Sequence, residues 1–128
     1  MLISQPDGLY TISYDATKKL VKEAPVGLWT KEEYIEYHSQ FVNKIGPALG
    51  GQPWAIRTDL RKYKVSDLGE VMAKHTEWLA NNNLSCGAII VDSAIVKMQI
   101  NRAISSKFTQ QNFLTEEEAD EWLKQKGF

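Results

Sequence analysis

Three places in this chain of 128 residues hold side chains of a type that could do chemistry. Asp59 follows the short apolar run Trp54-Ala55-Ile56-Arg57-Thr58, and Asp92-Ser93 follows a second run, Gly87-Ala88-Ile89-Ile90-Val91. Runs this short, bounded by polar residues, suit strands buried on both faces of a sheet. Ligands of open α/β sheets sit beyond the carboxyl ends of such strands, so one reading is a polar pocket between Asp59 and the Asp92-Ser93 pair. The plainer reading has both aspartates tying down loop amides while Ser93 caps a helix. The third place is Ser66-Asp67, just ahead of Leu68, Val71, Met72, His75, Trp78 and Leu79. That spacing makes Ser66 the expected N-cap of an amphipathic helix, a role worth about 0.5–2 kcal/mol.

The remaining reactive residue types point away from catalysis. His38 and His75 lack the His-x-x-x-His or Glu-x-x-His spacing of a metal site and read as core-edge histidines. A triad of Ser66, His75 and Asp59 has no nucleophile elbow to support it. Cys86 adjoins an apolar run and reads as a small buried filler, and Gly50-Gly51 belongs to neither phosphate-loop pattern. Trp29, Trp54, Trp78 and Trp122 could line a cavity, although tryptophans at such spacings are usually core. Arg57, Arg61, Lys62 and Lys64 around Tyr63 form a short basic cluster of the kind that is usually a solvated loop. No catalytic residue, metal or cofactor is expected, and the chain is not read as an enzyme.

Composition bounds the partners. Fifteen basic residues against sixteen acidic ones leave no net field to attract nucleic acid or an anionic membrane. The longest apolar stretch is of strand length, so no integral membrane contact is expected. The single cysteine excludes an intrachain disulfide and the N-terminus carries no signal-peptide pattern, which together point to the cytoplasm. At 43% hydrophobic and 24% charged, residues 1–128 are expected to form one domain.

The elements that must position these residues are legible from periodicity. Residues 8–14 alternate with period two, and after a polar turn the apolar residues resume at Leu20 and run to Trp29, with Pro25 implying an edge or broken strand. Thr30-Lys31-Glu32-Glu33 is a capping box, followed by the stripe Tyr34, Ile35, His38, Phe41, Val42, Ile45 and Leu49, with a kink expected at Gly46-Pro47. The two central strands are each followed by a helix, one from Ser66 to the Asn81-Asn82-Asn83 stop and one from Ser93 carrying Ile95, Met98, Ile100, Ala103 and Ile104. Residues 108–114 read as an edge strand, and Thr115-Glu116-Glu117-Glu118 opens a last helix with Ala119, Trp122 and Leu123 facing the body. The expected fold is α/β: an N-terminal β-hairpin followed by β-α units, forming a mostly parallel mixed sheet flanked by helices.

In element order, and in the segments Trp54-Ala55-Ile56-Arg57-Thr58-Asp59-Leu60, Ala88-Ile89-Ile90-Val91-Asp92-Ser93 and Phe113-Leu114-Thr115-Glu116-Glu117-Glu118, the chain resembles the STAS or SpoIIAA-like proteins, in particular the small uncharacterised bacterial ones grouped as SpoIIAA-like. The resemblance covers most of the chain. It implies a non-enzymatic regulatory module that binds a protein partner around residues 59–68. Anti-sigma-factor antagonists of that fold are switched by phosphorylation of a serine at the position matching Ser66, although here the surrounding Lys64-Val65-Ser66-Asp67-Leu68-Gly69 departs from their Asp-Ser-Ser-Gly-like turn. A phosphate there would add about −1.5 to −2 charges. The alternative role is a carrier or sensor of a small apolar ligand, lipid- or acyl-type. Twofold self-association, the commonest assembly, makes a homodimer the expected oligomer if there is one.

Overall fold

The computed structural model describes residues 1–4, 7–64, 68–93 and 109–128. The period-two segment becomes strand β2 (Tyr10–Asp15), with Tyr10, Ile12 and Tyr14 buried and the residues between them turned outward. Full burial of an aliphatic side chain such as Ile12 stabilises by about 1.5–3 kcal/mol. A hairpin joins β2 to β3 (Leu20–Pro25), and an additional short strand, β1 (Leu2–Ser4), pairs antiparallel with the outer edge of β2.

β3 corrects the expectation of an edge or broken strand. It pairs antiparallel with β2 on one side and parallel with β4 (Trp54–Asp59) on the other. The parallel register covers Leu20 to Glu23 only, so Pro25 lies beyond that ladder and its missing N–H costs nothing there. β4 pairs parallel with β5 (Leu84–Ile90), and β5 with the edge strand β6 (Thr109–Phe113). Among the described residues the sheet runs β1-β2-β3-β4-β5-β6, antiparallel at its first end and parallel beyond β3. The two central strands thus lie side by side, Asp59 opposite Ile90.

Helix α1 (Lys31–Gln40) starts at the expected capping box: Glu33 N–H donates to the Thr30 hydroxyl and Thr30 N–H to the Glu33 carboxylate. Its buried stripe is rotated from the expected one, because Tyr34, Tyr37, Phe41, Ile45 and Leu49 face the sheet while Ile35 and Val42 stay exposed. Near the expected kink the chain passes through a π-helical turn (Phe41–Ile45) into the single turn α2 (Gly46–Leu49). Helix α3 (Glu70–Asn81) ends where the asparagine run predicts. It begins three residues later than a Ser66 N-cap would place it, with Gly69 in the N-cap position at φ +56, and Ser66 lies outside the described residues. Helix α4 (Glu116–Gln125) carries the second predicted cap, Glu118 N–H donating to the Thr115 hydroxyl. The helix expected from Ser93 onward lies outside the described residues.

Two apolar layers result. The α1 to α2 run and α3 cover the sheet face bearing Ile12, Val21, Trp54 and Ile56. On the opposite face α4 covers Leu20, Ala55, Cys86, Ala88 and Ile90. Among the described residues no helix is long and apolar enough to cross a membrane.

Candidate functional site

The carboxyl end of β4 leads into a loop, residues 60–64, that is tied down along its length. Asp59 receives the Arg61 backbone N–H at 3.0 Å and two guanidinium N–H groups, Nε at 2.9 Å and Nη2 at 2.7 Å. These hydrogen bonds, offset in part by burial, hold the Asp59 carboxyl below the ordinary carboxylate range. Leu60 N–H donates to Ile90, while Gly27 donates to Lys62 and accepts from Lys64. Asp59 therefore does what the plainer reading assigned to it, an Asx-type tie on its own loop. It also lines an open groove of about 550 Å³ with Thr11, Ala24, Val26, Arg61 and Lys62.

Asp92 and Ser93 follow β5, the aspartate exposed and the serine half-buried, and neither lines that groove. Ser66 and Asp67 lie outside the described residues. Two of the four basic residues are neutralised: Arg57 pairs with Asp120 at 2.8 Å and Glu116 at 3.4 Å across the sheet face, and Arg61 pairs with Asp59. Lys62 and Lys64 remain exposed on the loop. The four tryptophans do not meet in one cavity, since Trp29, Trp54 and Trp78 pack on the α1 face at different points and Trp122 packs against Phe113 on the other.

Behind the loop lies a polar cluster that the sequence reading passed over. Glu23 of β3 is buried, accepting the Thr58 hydroxyl at 2.8 Å and the Tyr37 hydroxyl. Burial pushes this carboxyl up to about 7, against the lowering pull of the two hydroxyl donors. Edge-on aromatic contacts enclose it: Tyr37 packs on Trp29 at 4.9 Å, and Trp29 on Tyr34 at 5.9 Å and Tyr63 at 5.3 Å. The histidines meet here too. His75 of α3 packs on Tyr34, Tyr37 and Phe41, and its Nδ1 lies 2.8 Å from Nδ1 of His38, so one ring donates and the other accepts. Burial drives His75 down to about 3 and lowers His38, the latter helped by Lys74. The signal available in the sequence was phase: Glu23 alternates with Val21 and Pro25, all three buried.

Among the described residues no cluster of three or more metal-ligating side chains is present. No protein-family model and no curated protein matches the sequence. Among solved structures, an uncharacterised protein of the DUF3478 family with a SpoIIAA-like fold, from Shewanella loihica PV-4, aligns with a TM-score of 0.65 at 16% identity, covering 89% of this chain and 93% of that one. Identity that low speaks for the fold alone. The chain accordingly has the SpoIIAA-like α/β architecture that its element order implies.

Proposed function

We propose that this chain is a non-enzymatic interaction module of the STAS type, and that a protein partner docks on residues 59–68 at the carboxyl end of β4. The observation that carries this reading is the rigid seating of residues 60–64, bonded to Asp59, Ile90 and Gly27, with Lys62 and Lys64 facing solvent. A surface held in one conformation loses little entropy on association, and its cations favour a partner with an acidic face. Asp67 follows this loop in sequence and Asp92 and Ser93 follow β5, the strand beside β4, and all three are assigned to the same interface. Ser66 is assigned the role of its phospho-acceptor, where added negative charge would repel an acidic partner.

Affinity capture followed by titration of the captured protein tests the reading. Lys62→Glu combined with Lys64→Glu is expected to weaken binding at least tenfold, whereas Lys124→Glu on α4 leaves it unchanged. Equal affinity in all three proteins removes residues 59–68 from the interface. Phosphate-affinity electrophoresis of native protein and of Ser66→Ala decides the phospho-acceptor. If native mass spectrometry instead finds a lipid- or acyl-type adduct on the purified chain and no partner is captured, the carrier reading replaces this one.

A further inference from the structure

Glu23 is placed where a charge finds no counter-charge among the described residues. The groups that face it are the Tyr37 hydroxyl from α1 and the Thr58 hydroxyl from β4, with the Tyr34 hydroxyl close enough to feel its charge. Beside it on β2 stands Ile12, its register partner. Tyr63, from the loop after β4, acts on Tyr34 and Tyr37, and His75 of α3 packs on the Tyr37 ring. A protonated Glu23 can donate to one of its two hydroxyl partners and accept from the other, keeping both contacts without a net charge. An ionised Glu23 accepts from both, yet leaves a full negative charge among aromatic rings, a state relieved only by admitting water.

These contacts join three elements at one atom group. Tyr37 belongs to α1, Thr58 directly precedes Asp59, and the Tyr37 ring leads through Trp29 to Tyr63 on the loop. Tyr63 is itself bridged to Gly27, whose N–H and carbonyl hold Lys62 and Lys64. We propose that Glu23 is a proton-operated latch, whose ionisation draws water to the buried carboxylate and loosens the seam between α1 and the loop of residues 60–64. The latch regulates the same loop as the docking proposal and rests on that reading only for its consequence, because it operates in the isolated chain. A proton that biases two packings of one seam shifts their populations by the difference in its affinity for them.

The test is a pH titration of the isolated protein between pH 5 and 9 by nuclear magnetic resonance. The Glu23 side-chain carbon is expected to titrate near pH 7, and the backbone amides of Gly27 and Lys64 are expected to shift with the same midpoint. In Glu23→Gln the amide shifts vanish. In Tyr37→Phe, which removes a donor to the carboxylate, the midpoint rises. The proposal is overturned by a Glu23 midpoint below pH 5, by a titrating carboxyl that leaves both amides unmoved, or by unchanged amide titration in Glu23→Gln. Should Glu23→Gln not fold, the carboxyl and amide midpoints of the unaltered chain and of Tyr37→Phe still decide. Loss of partner capture with the lysine variants has no bearing on these midpoints, so the two proposals fail separately.

Discussion

At the scale of single residues, the decisive feature is a carboxyl on the buried phase of a strand. Glu23 has a raised affinity for its proton, about 7 against an ordinary 4.5, because burial disfavours the charge. The native state therefore keeps a proton that the unfolded chain releases, and stability present below pH 4.5 is lost as pH rises to 7. The displacement corresponds to about 3 kcal/mol, at about 1.4 kcal/mol per tenfold change in affinity. Glu23→Gln is neutral at every pH, and its amide can accept from Thr58 while donating to the Tyr37 oxygen. Urea unfolding is expected to show this variant more stable than the parent by about 3 kcal/mol at pH 8 and close to it at pH 4. A variant destabilised equally at both values would mean that the carboxyl is not held without a cation. The aspartates that drew attention first are simpler: Asp59 is matched to Arg61, a pairing that two residues of separation made readable.

At the scale of elements, most boundaries follow local chemistry and the exceptions have tertiary causes. Both Thr-x-x-Glu boxes start their helices where expected, since a cap is satisfied within four residues. The π-helical turn is different. Gly46 N–H donates to the Phe41 carbonyl rather than to Val42, and a Cβ at Gly46 would stand 3.0 Å from the Trp78 ring and 3.2 Å from that carbonyl. Glycine thus lets the helix approach Trp78, which brings Phe41 and His38 onto α3. Gly46→Ala is expected to destabilise the fold by about 1–3 kcal/mol despite alanine's better helix propensity, because the added methyl meets the packed Trp78 ring first and the Phe41 carbonyl next. Chemical denaturation checks this, and an unchanged or higher midpoint would show that the wide turn is not needed for packing. The late start of α3 likewise turns on Gly69, whose positive φ places the helix entry there.

At the scale of the whole molecule, two buried titratable groups oppose each other. His75, lowered to about 3 by burial and by His38, takes up a proton only on unfolding, so its contribution is complete above pH 6.5 and lost as pH falls toward 3. Glu23 acts in the reverse sense between pH 4.5 and 7. Between pH 4.5 and 6.5 the unfolded chain carries a proton on His75 and the native chain carries one on Glu23, so these two groups cancel and only the lowered His38 leaves a rise with pH. Unfolding free energy measured across pH 3 to 8 is expected to rise to pH 4.5, rise more gently to 6.5 and fall through 7. Asp59, whose carboxyl Arg61 holds low, steepens the acid side. A monotonic rise to pH 8 would contradict this arrangement.

By itself the sequence determined the α/β class, the caps at Thr30 and Thr115 and the hairpin, because period-two and 3.6-residue patterns and short-range caps are local. It also carried the resemblance to the SpoIIAA-like fold, which the likeness to the Shewanella protein bears out. Only the tertiary structure decided that β3 is interior, that Tyr37 rather than Ile35 faces the sheet, and that Glu23, Thr58, Tyr37 and the His38–His75 pair gather behind one loop. Glu23 and Thr58 are separated by 35 residues, and His38 and His75 by 37. Their meeting depends on strand register and helix rotation, which no short stretch of sequence encodes.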